Sequence, residues 1–168
     1  VLTEIFTKAA YIGFNMETEM KLAENIFGPK MSPHGIISVG IDIAHTADWE
    51  ETRTKYQLPE EYLLYVGRID AGKLDNIFRD FLAYKKKYRE SKLKLVLVGS
   101  KYFNAMQHPD FIYTGFVSDN EKTTIIQHAK IVLNPSKYES LSLILLEALN
   151  LGKVIMVNGK CNVMKEHK

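Results

Sequence analysis

Two glutamates, Glu139 and Glu147, stand eight residues apart in a segment where an unpaired carboxylate would be costly. Glu147 lies in the run from Leu141 to Leu151, which is apolar on nearly every side as a helix and predicts a buried element. An ionised carboxylate there costs several kcal/mol unless another group hydrogen-bonds it. Its partner is either a core group or a ligand with hydroxyls, and an internal lysine or arginine would remove the argument for a ligand.

Two cations, Arg68 and Lys73, frame the segment Gly67-Arg-Ile-Asp-Ala-Gly-Lys73 between a predicted strand and a predicted helix. A planar guanidinium, a mobile ammonium and glycines that allow close backbone approach suit a phosphate group. The alternative is a turn whose basic side chains are simply solvated. The segment matches neither the dinucleotide fingerprint nor the Walker loop, because Leu74 stands where the latter needs Ser or Thr.

The residues that lead into the Glu147 helix could bind an anion at the helix start. The simpler interpretation is that Ser140 and Ser142 cap the helix and that Glu139 is a favourable first-turn charge. A helix that begins near Ser142 carries Glu147 about 7.5 Å further along its axis. The two carboxylates are therefore expected to lie too far apart for a glycoside hydrolase pair. They fit better at opposite ends of an elongated ligand with a phosphate between them.

The elements that position these residues alternate between short apolar runs and helical patterns. Five runs predict buried strands: Tyr62–Val66, Leu93–Val98, Phe111–Tyr113, Ile131–Leu133 and Val154–Val157. Helical spacing follows the first run, a capping box at Ser118 opens a helix after the third, and the Glu147 helix follows the fourth. The alternation predicts an α/β fold with a doubly wound, Rossmann-like parallel sheet. Ligands of such sheets bind beyond the carboxyl ends of the strands.

The first sixty residues give weaker signals. Tyr11 to Phe14 and Ile36 to Val39 read as strands, and Asn15 is expected to cap a helix that Gly28 ends. A short helix is expected from Trp49 to Tyr56.

Composition excludes several classes of protein. The 22 basic and 20 acidic residues are too balanced for a nucleic-acid-binding protein, and the basic residues form no stripe. Cys161 is the only cysteine, which excludes an internal disulfide and favours the cytoplasm. No apolar run reaches the length of a membrane span. The five histidines show no metal-ligand spacing.

Four motifs in this order resemble one protein family. They are Tyr65-Val-Gly-Arg-Ile-Asp70 with Lys73, Leu95-Val-Leu-Val-Gly99, Gly115-Phe-Val117, and the segment from Pro135 to Ala148 with two glutamates separated by seven residues. The resemblance that they carry covers roughly residues 36–160, and their order and spacing are specific although each motif alone is weak. The chain resembles the nucleotide-sugar-binding C-terminal domain of retaining GT-B-fold glycosyltransferases of group 1, family 4.

The resemblance implies a role for each matching residue. Arg68 and Lys73 would bind the donor diphosphate and stabilise the leaving group, with Gly67 allowing close approach, and Glu139 would hold the hydroxyls of the transferred sugar. The backbone of Ser140, Leu141 and Ser142 would meet the phosphates. Phe116 and Val117 would lie against the base, and Glu147 would accept hydrogen bonds from the ribose. The resemblance also implies that neither a metal nor another cofactor is needed.

The resemblance further implies an incomplete protein. Residues 1–32 would be the tail of a missing N-terminal acceptor domain or a linker, and 33–168 the donor-binding domain, truncated at its C-terminus. Such a fragment would bind a donor but would not transfer sugar alone.

The function expected is transfer of a hexosyl group from a nucleoside-diphosphate sugar to an acceptor, with retention of configuration. The acceptor would be a sugar, a lipid-linked glycan or a polysaccharide reached through the missing domain, in polysaccharide or glycolipid synthesis. The expected location is the cytoplasm, where the full-length protein would be either free or bound peripherally to the inner face of the membrane. Two alternatives remain open: a non-catalytic nucleotide-binding or interaction module on the same fold, and a nucleotide-sugar epimerase.

Overall fold

The chain folds as two compact units. The computed structural model describes residues 1–101 and 105–166, except for the side chains of Ala71, Gly72, Lys73 and Asp75. The larger unit comprises Asp42–Lys137 and Leu143–Asn158, and the smaller one Val1–Ile41, Tyr138–Ser142 and the segment from Gly159. The predicted domain boundary between residues 32 and 33 stays a prediction.

The larger unit contains a five-stranded parallel sheet in the order β5-β4-β3-β6-β7. This arrangement confirms the predicted doubly wound, Rossmann-like sheet. Its elements in chain order are α3 Trp49–Tyr56, β3 Tyr62–Val66, α4 Ala71–Lys87, β4 Lys94–Val98, β5 Phe111–Gly115, α5 Asp119–His128, β6 Ile131–Asn134, α6 Leu143–Asn150 and β7 Val154–Val157.

Two clusters of buried side chains cover the two faces of this sheet, because successive residues of a strand point to opposite faces. On one face Tyr62 and Leu64 of β3 pack with Ile125 and Ile126 of α5 and with Ala148 of α6. The other face packs Tyr65, Leu95 and Leu97 against α4 through Leu74, Phe78 and Phe81. Helices on both faces are what strands made mainly of apolar residues predict.

A buried hydrogen bond and an aromatic stacking contact connect α5 to its neighbours. The Tyr62 hydroxyl donates to the Ile125 carbonyl oxygen at 2.7 Å, and burial raises the pKa of this phenol. Trp49, at the start of α3, stacks on His128, at the end of α5, with ring centroids 3.8 Å apart. These contacts fix the helix whose first turn lines the site described below.

The smaller unit contains a two-stranded parallel pair and short helices. Its elements are α1 Leu2–Lys8, β1 Ile12–Phe14, α2 Glu17–Phe27, a 3-10 turn Gly28–Lys30, β2 His34–Ile36 and α7 Asn162–Lys165.

Two expectations for the smaller unit need correction. Asn15 is not the cap of α2: the N-cap is Met16, and the Asn15 backbone N–H donates to the Glu19 carboxylate at 3.2 Å. The strand expected from Ile36 to Val39 instead ends at Ile36. Ser38 has a φ of 50°, which extended backbone does not allow. Gly28 ends α2 with a φ of 57°, as predicted.

Candidate functional site

The exits of three neighbouring strands meet at glycines. Gly67 and Gly99 directly follow β3 and β4, Gly115 ends β5, and all three have positive φ. The Gly67 N–H donates to the Val98 carbonyl, and the Gly99 N–H to that of Gly115. A Cβ atom at Gly99 would lie 2.1 Å from the Gly67 carbonyl oxygen. The two turns therefore touch through backbone alone, which a side chain at position 99 would prevent.

A cavity of about 340 Å³ opens beside these turns. It is lined by Gly67, Arg68, Phe116 and Val117 among others, so four residues singled out from the sequence lie around one space. Phe116 is 85% exposed, whereas Val117 is buried in the core. Of the two, Phe116 therefore offers the accessible apolar surface against which a flat ring could lie.

Arg68 reaches this cavity from the turn after β3. Its side chain is 62% exposed, and its Nε donates to an oxygen of Asp70 at 3.2 Å. The Tyr65 hydroxyl donates to the Arg68 carbonyl at 2.9 Å and so fixes the backbone of the turn. An oriented, accessible guanidinium beside a cavity suits an anionic ligand.

Lys73 belongs to the first turn of α4, but its side chain lies outside the described part of the structure. Its predicted role beside Arg68 stays a prediction.

Glu147 lines a second cavity, of about 330 Å³. Its side chain is 16% exposed, and its Oε1 accepts a hydrogen bond from the Lys122 ammonium at 3.0 Å. The buried carboxylate therefore has an internal partner, which is the first of the two alternatives that the sequence leaves open, and its charge alone no longer argues for a ligand. The remaining support for a ligand contact is the position of Glu147 beside this cavity.

Lys122 is the residue that sequence reasoning missed. It lies in the first half of α5, 25 residues before Glu147, and also pairs with Asp119 at 3.2 Å. Burial acts to lower the pKa of Lys122, but the hydrogen bonds to Glu147 and Asp119 outweigh it, and the net shift is upward. Asp119 and Lys122 line both cavities, so the start of α5 separates them.

The helix that carries Glu147 is less buried than the sequence predicts. It spans Leu143–Asn150; Leu145 and Ala148 are buried, while Leu143 and Leu149 are 51% and 40% exposed. The sheet ends at β7, and α6 follows the neighbouring strand, β6. The helix therefore lies near the edge of the sheet, where one of its faces has core beneath it.

The predicted anion-binding residues Glu139, Ser140, Leu141 and Ser142 belong to the smaller unit. Ser142 is buried and directly precedes α6, Glu139 is half-buried, and Ser140 is exposed. Their contacts to a donor, and the spacing of Glu139 and Glu147, stay predictions.

The described part of the chain offers neither a cluster of metal ligands nor a membrane-spanning helix. Among the described side chains, no three of His, Cys, Asp or Glu cluster in a way that could hold a metal ion. No helix in the described part of the chain combines the length and apolarity needed to cross a bilayer.

A doubly wound parallel sheet with a cavity at its strand exits defines a Rossmann-like α/β protein, the fold of the C-terminal half of GT-B glycosyltransferases. The family model described as glycosyl transferases group 1 matches residues 60–167, and the chain belongs to this family. No curated protein matches the chain.

Solved structures share the fold at low sequence identity. Sucrose-phosphate synthase from Thermosynechococcus elongatus has a TM-score of 0.71 and 18% identity over 93% of this chain and 42% of its own. The E. coli trehalose-6-phosphate structure bound with UDP-2-fluoro glucose has a TM-score of 0.70 and 14% identity over 98% and 49%. Anabaena Alr3699/HepE in complex with UDP and glucose has a TM-score of 0.69 and 15% identity over 96% and 53%. The chain thus spans about half the length of these structures.

Proposed function

We propose that this chain is the donor-binding part of a glycosyltransferase that transfers a hexosyl group from a nucleoside-diphosphate sugar with retention of configuration. The observation that carries the proposal is the group 1 family match over residues 60–167. The cavity at the strand exits, with Arg68 and Phe116 at its side, supports it. An anion-binding cation and an aromatic surface are what a nucleotide needs.

The roles follow from charge and position. Arg68 would bind the diphosphate, together with Lys73, and stabilise the negative charge that builds on the nucleotide as it leaves. The exposed ring of Phe116 would lie against the base, beside Val117. Glu147 would accept hydrogen bonds from ribose hydroxyls that point toward its cavity. Glu139 would hold hydroxyls of the transferred sugar, and the backbone of Ser140, Leu141 and Ser142 would meet the phosphates.

Uridine diphosphate sugars are the first donors to test. Two structures that share the fold contain UDP-2-fluoro glucose or UDP and glucose.

We further propose that the acceptor belongs to polysaccharide or glycolipid synthesis and that the protein acts in the cytoplasm. We also propose that the reaction needs no metal, because cations and helix ends would stabilise the leaving group instead.

Calorimetric titration with UDP, GDP, ADP and pyrophosphate tests the proposal. Arg68→Ala should lower the affinity for UDP and for pyrophosphate alike, by about tenfold to a hundredfold, because each ligand loses a charge-assisted hydrogen bond. Arg79→Ala is the matched control, since Arg79 is another exposed arginine whose Nε donates to a nearby aspartate, Asp80. Arg79→Ala should leave the affinity for both ligands unchanged.

A second comparison tests the ribose. Glu147→Ala should weaken UDP by a larger factor than pyrophosphate, because pyrophosphate has no hydroxyls for the carboxylate to accept from. Equal losses for the two ligands would contradict the ribose assignment. Absence of binding to every nucleoside diphosphate would contradict the proposed function itself.

A further inference from the structure

The two cavities of the larger unit share a wall made by Asp119 and Lys122. On one side lie Arg68 and Phe116, and on the other lies Glu147. A nucleotide with its base at Phe116 and its diphosphate near Arg68 would lie in the first cavity. Its ribose, which joins the base to the diphosphate, would direct its hydroxyls at the shared wall, where Lys122 contacts Glu147 at 3.0 Å. The sequence resemblance gives this lysine no role.

Lys122 is held in a fixed position with donor capacity to spare. An ammonium has three N–H donors. Two are engaged, by Glu147 Oε1 at 3.0 Å and by Asp119 Oδ1 at 3.2 Å. The third has no acceptor among the backbone and side-chain groups that the structure describes. Because both contacts already restrain the side chain, little conformational entropy remains to be lost on binding a ligand.

Glu147 has complementary capacity. Its Oε1 accepts from Lys122, while its Oε2 has no hydrogen-bond donor in the described part of the chain. The side chain is only 16% exposed and faces a cavity of about 330 Å³. A largely buried carboxylate oxygen beside a cavity is an acceptor for a ligand O–H group.

The charge of the second cavity argues against a phosphate there. Three carboxylates line it, those of Asp42, Asp119 and Glu147, and Lys122 is the one cation among its described lining residues. A phosphate would be repelled by this excess of negative charge. A neutral group that both donates and accepts hydrogen bonds fits better.

We propose that Lys122 and Glu147 together bind the vicinal diol of the donor ribose. Glu147 Oε2 accepts from one hydroxyl, and the third N–H of Lys122 donates to the oxygen of its neighbour. A carboxylate alone could only accept, whereas the ion pair matches one donor and one acceptor of a diol. This assignment rests on the proposed nucleotide-binding function and adds Lys122 to it as a specificity-determining residue.

Titration of UDP, 2′-deoxy-UDP, 3′-deoxy-UDP and pyrophosphate tests the role of Lys122. The wild-type chain should bind each deoxy ligand about tenfold to a hundredfold more weakly than UDP, the range for a hydrogen bond to a charged group. In Lys122→Met the ratio between the Kd of at least one deoxy ligand and the Kd of UDP should fall to about twofold or less. The N–H that donates to the corresponding hydroxyl is absent from this variant. Pyrophosphate, which has no hydroxyls, should lose less affinity than UDP in this variant.

Controls separate this role from general charge or stability effects. Lys130→Met removes another lysine paired with a glutamate, Glu61, away from both cavities and should leave all penalties as in the wild type. Lys122→Arg keeps a charged donor and should restore part of the discrimination. If Lys122→Met does not fold, Lys122→Met with Glu147→Leu removes both charges and every hydrogen-bonding group of the pair, and the discrimination against both deoxy ligands should be lost.

The outcomes distinguish the inference from the function on which it rests. If the wild type binds none of the nucleotides, the proposed function fails. If it binds UDP but Lys122→Met keeps both deoxy penalties, the diol assignment alone is overturned. An equal loss of UDP and pyrophosphate in Lys122→Met would place the ammonium at a phosphate and also overturn it.

Discussion

At the scale of single residues, the contact between Gly67 and Gly99 shapes the cavity at the strand exits. The backbone of the turn after β4 lies against the carbonyl of the turn after β3, with no room for a Cβ atom. Gly99 also has a φ of 135°, which L side chains rarely adopt. Both conditions restrict this position to glycine.

Gly99→Ala should destabilise the chain by about 1–3 kcal/mol from backbone strain alone, with the clash against Gly67 adding to it. Urea unfolding followed by circular dichroism measures the change. Gly159→Ala is the control, because Gly159 has nothing within 4 Å of its ideal Cβ position and its φ is not in the left-handed region. A loss of stability in Gly99→Ala no larger than in the control would contradict the steric argument.

Several site residues could be predicted from the sequence because a simple rule places them. Residues that follow parallel strands meet at one edge of the sheet, and the structure brings Gly67, Arg68 and Phe116 to one cavity there. Lys122 could not be found in this way. It lies within a helix, and its contact with Glu147 depends on how α5 and α6 pack, which local periodicity does not encode.

At the scale of elements, α5 begins with the capping box that its sequence predicts. The Ser118 hydroxyl accepts from the Glu121 N–H, and the Glu121 carboxylate accepts from the Ser118 N–H at 2.9 Å. The structure adds two contacts from α3: the Lys55 ammonium donates to Glu121 at 2.6 Å and the Tyr56 hydroxyl at 3.1 Å. Glu121 thus joins two helices as well as capping one.

Glu121 should make stability depend on pH in acid. The hydrogen bond from Lys55, with further ones from Ser118 and Tyr56, lowers the pKa of this carboxyl from 4.5 to about 2. Its stabilising contribution is therefore complete above about pH 4.5 and is lost as pH falls toward about 2. The difference in unfolding free energy between wild type and Glu121→Gln should shrink across this interval.

Urea unfolding at several pH values measures this difference. Asp80→Asn, which removes one partner of an exposed ion pair, is the control and should change stability by less than about 1 kcal/mol throughout. A difference for Glu121→Gln that does not vary between about pH 5 and 2 would contradict the assignment.

The accuracy of the element predictions follows the strength of the local signal. The five strands of the large sheet consist mainly of apolar residues, and their predicted positions agree with the structure to within one or two residues. Helices α1 and α7, of seven and four residues, are too short to show a helical period and were not predicted. The sequence misplaces the cap of α2 because the Thr18 N–H, a donor that an N-cap side chain usually serves, instead donates to the sequence-distant Glu166 carboxylate at 2.6 Å.

At the scale of the molecule, the sheet order places β3 and β4 inside and β5 and β7 at the edges. Leu64, Val96 and Leu97 are fully buried, whereas Val154 and Met156 of β7 are more than half exposed. Amide hydrogen exchange should therefore be slowest in β3 and β4 and faster in β7, as buried ladders open only with global unfolding. Mass spectrometry of exchanged peptides measures the order, and greater protection in β7 than in β3 would contradict it.

The stacking of Trp49 on His128 gives the protein its own optical reporter. Trp49 is the sole tryptophan of the chain, so its fluorescence comes from one known position. That indole rests on the far end of the helix whose opening turn divides the two cavities. Any ligand that shifts this helix alters the surroundings of the indole, and emission can then be followed without an attached dye.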